Sequence, residues 1–438
     1  MTTSGSTCAT NNPWLDLWSL RPGVTYLNHG SFGPPPKSVS AARLEWIARL
    51  ESEPMDFFVR QMEGHLELAR HRLGDVFGTS GDNLLFVDNA TFAMNIVAAS
   101  LPLASGDEVL ATNHEYGAVL RIWRERCQNL GVRLVVQKLP EEFRSAEEVV
   151  ETLFAGVTER TRLIVVSHIT SPTALILPVA DICRRARALG IRVCIDGPHA
   201  LAAVPVHLDR LECDFYCASG HKWLSAPFGS GFLYVNPRWK QAVRPVVVSW
   251  GNSLSGRAHS WQDAFVWLGT RDPSPFLAIP AAIDFFTNLP TLSSEPNSLP
   301  PDDLAAVVPS AEEGVWSRQI AGSAAGIDRF RAASQALVAE ARRRISAVTR
   351  LDPIGTPEWY GTMITMPLPD WVPETPHGHM HPIQAALWQR DQIEAPVTNW
   401  SGRRHIRASC HLYNTIADVQ HLAAGLADVL DEYSGASN

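Results

Sequence analysis

From about residue 80 onward, short apolar runs alternate with segments of helical period, and this alternation limits the fold more than any other feature. The runs are LLFV at 84–87, EVLA at 108–111, RLVVQ at 133–137, RLIVVSHI at 162–169 and RVCI at 192–195. Between them lie TFAMNIVAAS, GAVLRIWRERCQNL, SAEEVVETLFAGV and VADICRRARALG, the last closed by a glycine that stops a helix. FYCASG and GFLYV supply further strands. Strand–helix alternation on this scale implies an α/β fold, a mostly parallel sheet sandwiched by helices. After about residue 285 the character changes. Residues 289–313 are rich in Pro, Ser and Asp and read as a surface excursion. A long helix over IDRFRAASQALVAEARRRISAV and shorter signals then fit a smaller C-terminal α+β domain. The expected division is an N-terminal segment 1–30, a large domain 31–285, the excursion within 286–318 and a small domain 319–438.

A chain of 438 residues, 45% hydrophobic, buries large cores without disulfides or a structural metal. Its net charge of −8 is scattered, which argues against nucleic acid or an anionic membrane surface as partner. The start, MTTSGSTCATNN, lacks the basic and apolar regions of a secretory signal, and no apolar run reaches membrane-span length. The seven cysteines are odd in number, show no metal-type spacing and mostly fall in apolar strand-like stretches. Reduced, buried thiols in a cytoplasmic protein are expected. The tract His377-Gly378-His379-Met380-His381 reads as a solvated loop, so no metal site is expected.

Of 37 basic residues only Lys37, Lys138, Lys222 and Lys240 are lysines. Lys222 lies in CASGHKW, between a histidine and a tryptophan. A lysine whose amine must lose its proton cannot be exchanged for arginine. Ligands of an open α/β sheet sit beyond the carboxyl ends of its strands. There this chain places Asp88-Asn89-Ala90-Thr91, Asn113-His114-Glu115-Tyr116, Ser167-His168, Asp196-Gly197-Pro198-His199 and Ser219-Gly220-His221-Lys222. A strand-ending aspartate alone is ordinarily a cap, and a His–Lys pair alone is ordinarily solvated. Together they suit pyridoxal phosphate. An amine takes the aldehyde, a buried carboxylate keeps the ring nitrogen protonated, a helix N-terminus holds the phosphate and an aromatic ring stacks on the cofactor.

The motifs YLNHGSFGPPP, DNATFAMN, NHEYGA, SHITSP, IDGPHA, SGHKW, GTRD and RASCHLYNT occur in that order between about residues 24 and 430. In this the chain resembles the fold-type I, class V pyridoxal-phosphate enzymes, and within them the isopenicillin N epimerase-like subgroup. That subgroup includes lyases that cleave C–S bonds of cysteine conjugates in ergothioneine and lincosamide pathways. The resemblance implies that Lys222 is the Schiff-base lysine and proton shuttle, that Asp196 pairs with the ring nitrogen and that His199 contacts the ring oxygen. It implies that Ala90, Thr91, Ser219 and His221 hold the phosphate, and that Gly269 and Thr270 reach it from the second subunit of a homodimer with shared active sites. Tyr116 matches the stacking ring, with His114 as runner-up. Ser171 lies near the ring oxygen, Arg407 binds the α-carboxylate of an amino-acid substrate, and Asn28, His29 and Gly30 line the substrate pocket.

Cysteine desulfurases of this class carry a catalytic cysteine shortly before the carboxylate-binding arginine. Here that region reads QIEAPVTNWSGRRHI and has none, while Cys410 follows Arg407. The basic pair Arg403 and Arg404 in that stretch reads equally as acidic-substrate ligands or as solvated charge. The resemblance favours C–S bond-cleaving β-elimination of a cysteine S-conjugate. Epimerisation, transamination and decarboxylative oxidative deamination stay open, as does a non-catalytic cofactor-binding regulator. A nucleotide-binding Rossmann protein does not fit, because the turn after LLFV reads DNATFA and holds no G-x-G-x-x-G.

Overall fold

The computed structural model describes residues 12–289, 324–376 and 378–435. Its strands are β1 (Thr25–Tyr26), β2 (Leu84–Val87), β3 (Glu108–Thr112), β4 (Arg133–Gln137), β5 (Thr161–Ser167), β6 (Arg192–Asp196), β7 (Phe215–Ser219), β8 (Gly231–Val235), β9 (Met363–Pro367), β10 (Ile393–Glu394), β11 (Val397–Trp400) and β12 (Arg403–Ser409). Seven of them form the central sheet, in the order β2-β8-β7-β6-β5-β3-β4. The pairs from β4 to β7 are parallel. β8 runs antiparallel to both β7 and β2. Two reversals cancel, so β2 points the same way as β3, β5, β6 and β7. Five chemistry-bearing strand ends therefore share one edge.

Side-chain alternation explains why this sheet needs helices on both faces. Ile164 and Val166 of β5 join one core and Leu163 and Val165 the other. β4, at the sheet edge, is only half-buried. The covering helices start and stop where local chemistry says they should. Asn89 caps the helix Ala90–Ser100 by accepting from the Phe92 amide at 2.9 Å. Gly131, at φ +66°, closes Gly117–Leu130 in the left-handed conformation. Two expectations are corrected. β5 stops at Ser167, because Thr170 turns the chain through a bond from the Leu175 amide to its hydroxyl. Only Cys194 and Cys217 of the six described cysteines lie on strands, though all six are buried.

The C-terminal part is an antiparallel sheet, β11-β12-β9, packed with helices Ala324–Thr349, Pro382–Asp391 and Ile416–Gly435. The N-terminal segment docks on this part. β1 pairs parallel with β10, Asn28 bridges to Ser409, and Asn12 Nδ2 donates to the Leu412 carbonyl at 3.0 Å. The excursion expected at 289–313 lies, beyond Leu289, outside the described residues.

Behind the turn that follows β6, Gly197 donates its amide to the Cys217 carbonyl at 2.7 Å. A Cβ there would stand 2.1 Å from the ring of Tyr216, a fully buried side chain. Gly197→Ala is expected to cost about 1–3 kcal/mol, the range for overpacking a filled core. Urea denaturation of the purified variant checks this, and an unchanged midpoint would contradict it.

Candidate active site

Asp196 ends β6, in register with Ser167 at the end of β5. Ser219 ends β7, and Lys222 follows three residues later. The turn bearing Lys222 is pinned through its backbone. The Lys222 carbonyl accepts from the Ser225 amide at 2.8 Å and from His29 Nε2 at 3.0 Å. The Gly220 amide donates to the Ser230 carbonyl at 2.8 Å. Lys222 Nζ lies 3.0 Å from His199 Nε2 and makes no ion pair among the described residues.

Burial is the first cause that lowers the Lys222 amine below its ordinary value. The charge of Arg407 lowers it further, and Asp196 opposes both. Burial likewise raises the Asp196 carboxyl, with Lys222 pulling it back. His199 is driven far below the imidazole range by burial, then by Lys222, Arg407 and His221. It stays neutral, and its Nδ1 has no partner.

Arg407 sits on β12 opposite Thr365 of β9 and is only 4% exposed. Nη1 donates to the Ser171 carbonyl at 2.9 Å and Oγ at 3.4 Å. Nη2 donates to Ser31 Oγ and, at 3.5 Å, to Asn28 Oδ1. No carboxylate pairs with this guanidinium among the described residues, and its Nε has no partner. Burial lowers it to about 10, with the Tyr116 phenol acting in the opposite sense. A buried cation surrounded only by neutral acceptors is a costly arrangement until an anion arrives.

Tyr116 is 49% exposed and lies within electrostatic reach of Arg407. His114 is fully buried, with Nδ1 2.8 Å from Thr173 Oγ1 and its ring 4.4 Å from Trp400. Of the two candidate rings, Tyr116 is the accessible one. Ser219 Oγ accepts from the Ala90 amide at 3.0 Å, which joins the end of β7 to the start of the helix. Thr91 is exposed there, and His221 is half-buried with an unpartnered Nδ1.

Not every expected residue converges. His29 is fully buried, with Nδ1 2.9 Å from the Tyr413 hydroxyl and its ring stacked on His411. With Nε2 on the Lys222 carbonyl, both nitrogens are used, so His29 supports the lysine turn from behind instead of lining a pocket. Gly30 is a packing residue too, because a Cβ would meet Ser409 Oγ at 2.8 Å. Gly269 and Thr270 are exposed, and no hydrogen bond among the described residues ties them to Lys222, Asp196 or Ala90. Their neighbour Arg271 pairs with Asp88 at 2.6 Å. His377 lies outside the described residues, while His381 caps the helix Pro382–Asp391 and contacts the Pro373 carbonyl. Arg403 is exposed, and Arg404 donates to the Gly402 and Asp370 carbonyls. Two residues at this edge escaped the sequence reading. Ser31 holds Arg407, and its only signal was its place in NHGSFG. Glu115 stands among the polar strand ends in NHEYGA with no role assigned to it there.

Buried polar atoms ordinarily find partners. His199 Nδ1, His221 Nδ1 and Arg407 Nε do not. Three orphaned nitrogens around one poorly protonated lysine fit a polar ligand bearing an aldehyde, a basic ring nitrogen and anionic groups.

The class-V aminotransferase family model matches residues 35–294. An isopenicillin N epimerase of Amycolatopsis lactamdurans is 34% identical over 426 residues, covering 94% of this chain and 96% of its own. The chain belongs to the class-V aminotransferase family. A putative L-cysteine desulfhydrase of Oryza sativa subsp. japonica is 31% identical over 283 residues, 60% of this chain and 57% of its own. In fold, the chain resembles the cystine C–S lyase C-DES in complex with cysteine persulfide. The TM-score is 0.72 at 21% identity, with 95% of this chain and 99% of that one covered. The protein is thus a fold-type I enzyme whose cofactor is pyridoxal 5′-phosphate.

The neutral histidines set a pH dependence. Burial lowers His29 and His114 to about 3 and His168 and His405 to about 4. His199 and His411 lie well below the ordinary value. Below about 6.5 the unfolded chain takes up protons at these six sites and the folded chain does not. The stability these six groups contribute is therefore complete above that pH and falls as pH drops, by about 1.4 kcal/mol per unit for each group. Asp196 and Glu115, both raised by burial, act with the opposite sign in the same window but are fewer. Cofactor-free protein is expected to lose stability steeply from pH 6.5 to 5 in urea titrations. A flat profile would contradict the assignment.

Proposed function

We propose that this enzyme cleaves the C–S bond of an L-cysteine S-conjugate by β-elimination, releasing a thiol, pyruvate and ammonia. Bound at Lys222, pyridoxal phosphate supplies the carbonyl that captures the substrate amine and a ring that accepts negative charge from Cα. Arg407, oriented by Asn28 and Ser31, takes the α-carboxylate as a two-pronged donor. Lys222, released as an amine that burial and Arg407 keep short of protons, removes the Cα proton. The Cβ–S bond breaks as the thiolate leaves and takes up a proton, and water hydrolyses the remaining enamine. Asp196 holds the ring nitrogen, His199 and Ser171 the ring oxygen, and Tyr116 one face of the ring. Ala90, Thr91, Ser219 and His221 hold the phosphate.

The observation that carries this reading over sulfur transfer is that the described thiols are sealed, beside an uncompensated buried Arg407 and a poorly protonated Lys222 that every branch requires. Cys194, Cys213, Cys217 and Cys410 are all buried and pushed up by burial. The stretch where desulfurases place a cysteine loop is a two-residue hairpin turn, Ser401 (φ +49°) and Gly402 (φ +75°), between β11 and β12. With no exposed thiol among the described residues to accept sulfur, the sulfur departs on the leaving group. The desulfhydrase relatives support C–S cleavage.

Shared active sites in a homodimer fit the same picture. Gly269 and Thr270 are exposed, and Val248 and Trp250 on the preceding segment are 86% and 63% exposed, a patch suited to a second subunit. In the dimer Gly269 and Thr270 would complete the partner's phosphate site. The large and small domains divide near residue 285, and the sealed thiols suit the cytoplasm. Among the described residues no helix is long and apolar enough to cross a membrane.

A second reading, epimerisation, is favoured by the near full-length similarity to isopenicillin N epimerases. It needs a proton donor on the face away from Lys222, and Tyr116 is the candidate. Incubation with S-substituted cysteines separates the two. The lyase reading expects an absorbance band at about 420 nm that Lys222→Ala lacks, with pyruvate and thiol formed in equal amounts. The same band with D-amino acid and no pyruvate would give the epimerase. Protein without the band after cofactor addition would sink both.

A further inference from the structure

One buried acid at the site has no part in the scheme above. Glu115, 5% exposed, sits between β3 and the helix Gly117–Leu130, immediately before Tyr116. Its Oε1 accepts from Thr112 Oγ1 at 2.7 Å and its Oε2 from Ser167 Oγ at 2.6 Å. Thr112 ends β3, and Ser167 ends β5 in register with Asp196. The carboxyl thus ties two strand ends together one residue from Asp196, and no basic side chain pairs with it among the described residues. Hydroxyl donors on both oxygens suit the anion. Burial, followed by the neighbouring Asp196 charge after those bonds are counted, nevertheless pushes Glu115 up to about 7. A buried acid beside a second buried acid is costly unless a positive charge shares the field. Asp196 is where such a charge arrives, on the protonated ring nitrogen.

We propose that Glu115 is a positioning residue that backs Asp196 with negative charge and so tightens the hold of Asp196 on the protonated ring nitrogen of the cofactor. Glu115 does not touch the ring. Its charge raises the proton affinity of the Asp196–ring nitrogen pair, so the proton stays where the ring needs it to accept electrons. Its hydroxyl clamps also fix the backbone from which Tyr116 projects. The proposal rests on the pyridoxal-phosphate reading but not on the choice between elimination and epimerisation.

The test compares two ligands on cofactor-free protein by fluorescence titration: pyridoxal phosphate and its 1-deaza analogue, whose ring has carbon in place of the nitrogen. Glu115→Gln keeps the shape and removes the charge. It is expected to weaken pyridoxal phosphate binding about tenfold, one unit of proton affinity, and to leave the 1-deaza analogue within about twofold, because no ring proton remains to be held. Equal losses for both ligands would make Glu115 a mere strand tether and overturn the proposal, as would unchanged binding of both. Should Glu115→Gln fail to fold, Ser167→Ala removes one donor to the carboxylate and is expected to show the same selectivity at a few-fold. A non-selective loss in that variant overturns the proposal too. Wild-type protein that bound neither ligand would overturn the cofactor reading and the role of Glu115 with it.

Discussion

A buried amine, a buried guanidinium and a buried carboxyl, Lys222, Arg407 and Asp196, come together at a single sheet edge, and much of the architecture serves to hold them there. Removing such charges from water is unfavourable, and the geometry must return part of that cost. The double reversal through β8 brings β2 and its helix N-terminus to the same edge as β5, β6 and β7. The N-terminal segment threads from β10 to the Lys222 turn through His29. The small domain contributes Arg407 on a strand clamped between β11 and β9. The Lys222 amine is kept short of protons by burial and by the charge of Arg407, the arginine proposed to take the substrate carboxylate. Binding and chemistry are thereby coupled: a carboxylate that neutralises Arg407 also relieves its effect on Lys222.

The sheet was legible because each buried strand is a short apolar run closed by a polar residue, and those polar ends gather at one edge. Asp196, Ser219 and Lys222 could be found from sequence for the same reason. What could not be read depends on partners far away in the chain. His29 beside Asn28 reads as pocket-lining until Tyr413 and the Lys222 carbonyl are seen to consume both of its nitrogens. The choice between His114 and Tyr116 rests on burial against Trp400, which no local pattern reveals. Glu115 stood among the polar strand ends without a role, because its bond from Ser167 forms only once β3 and β5 pair.

Family membership makes the chain a class-V pyridoxal-phosphate enzyme and leaves the outcome of the reaction to the site. The relatives include epimerases, desulfhydrases and desulfurases, and the features that separate those outcomes are few. A thiol within reach would permit sulfur transfer, and the described cysteines are sealed in the core. A proton donor opposite the lysine would permit inversion, and the exposed phenol of Tyr116 is the group available. Arg407 and Lys222 serve every branch equally, so the strongest physical features of the site are also the least discriminating.

The state of the Lys222 amine tests the account most directly. With four lysines in the chain, lysine-selective 15N labelling gives a simple NMR titration of the cofactor-free protein, assigned with Lys222→Met. Here the Lys222 signal should titrate well below the ordinary lysine value, because burial and the Arg407 charge disfavour its protonated form. A Lys222 signal that titrates at the ordinary lysine value of about 10.4 would mean that burial and Arg407 do not poise the amine, and the central claim would fail.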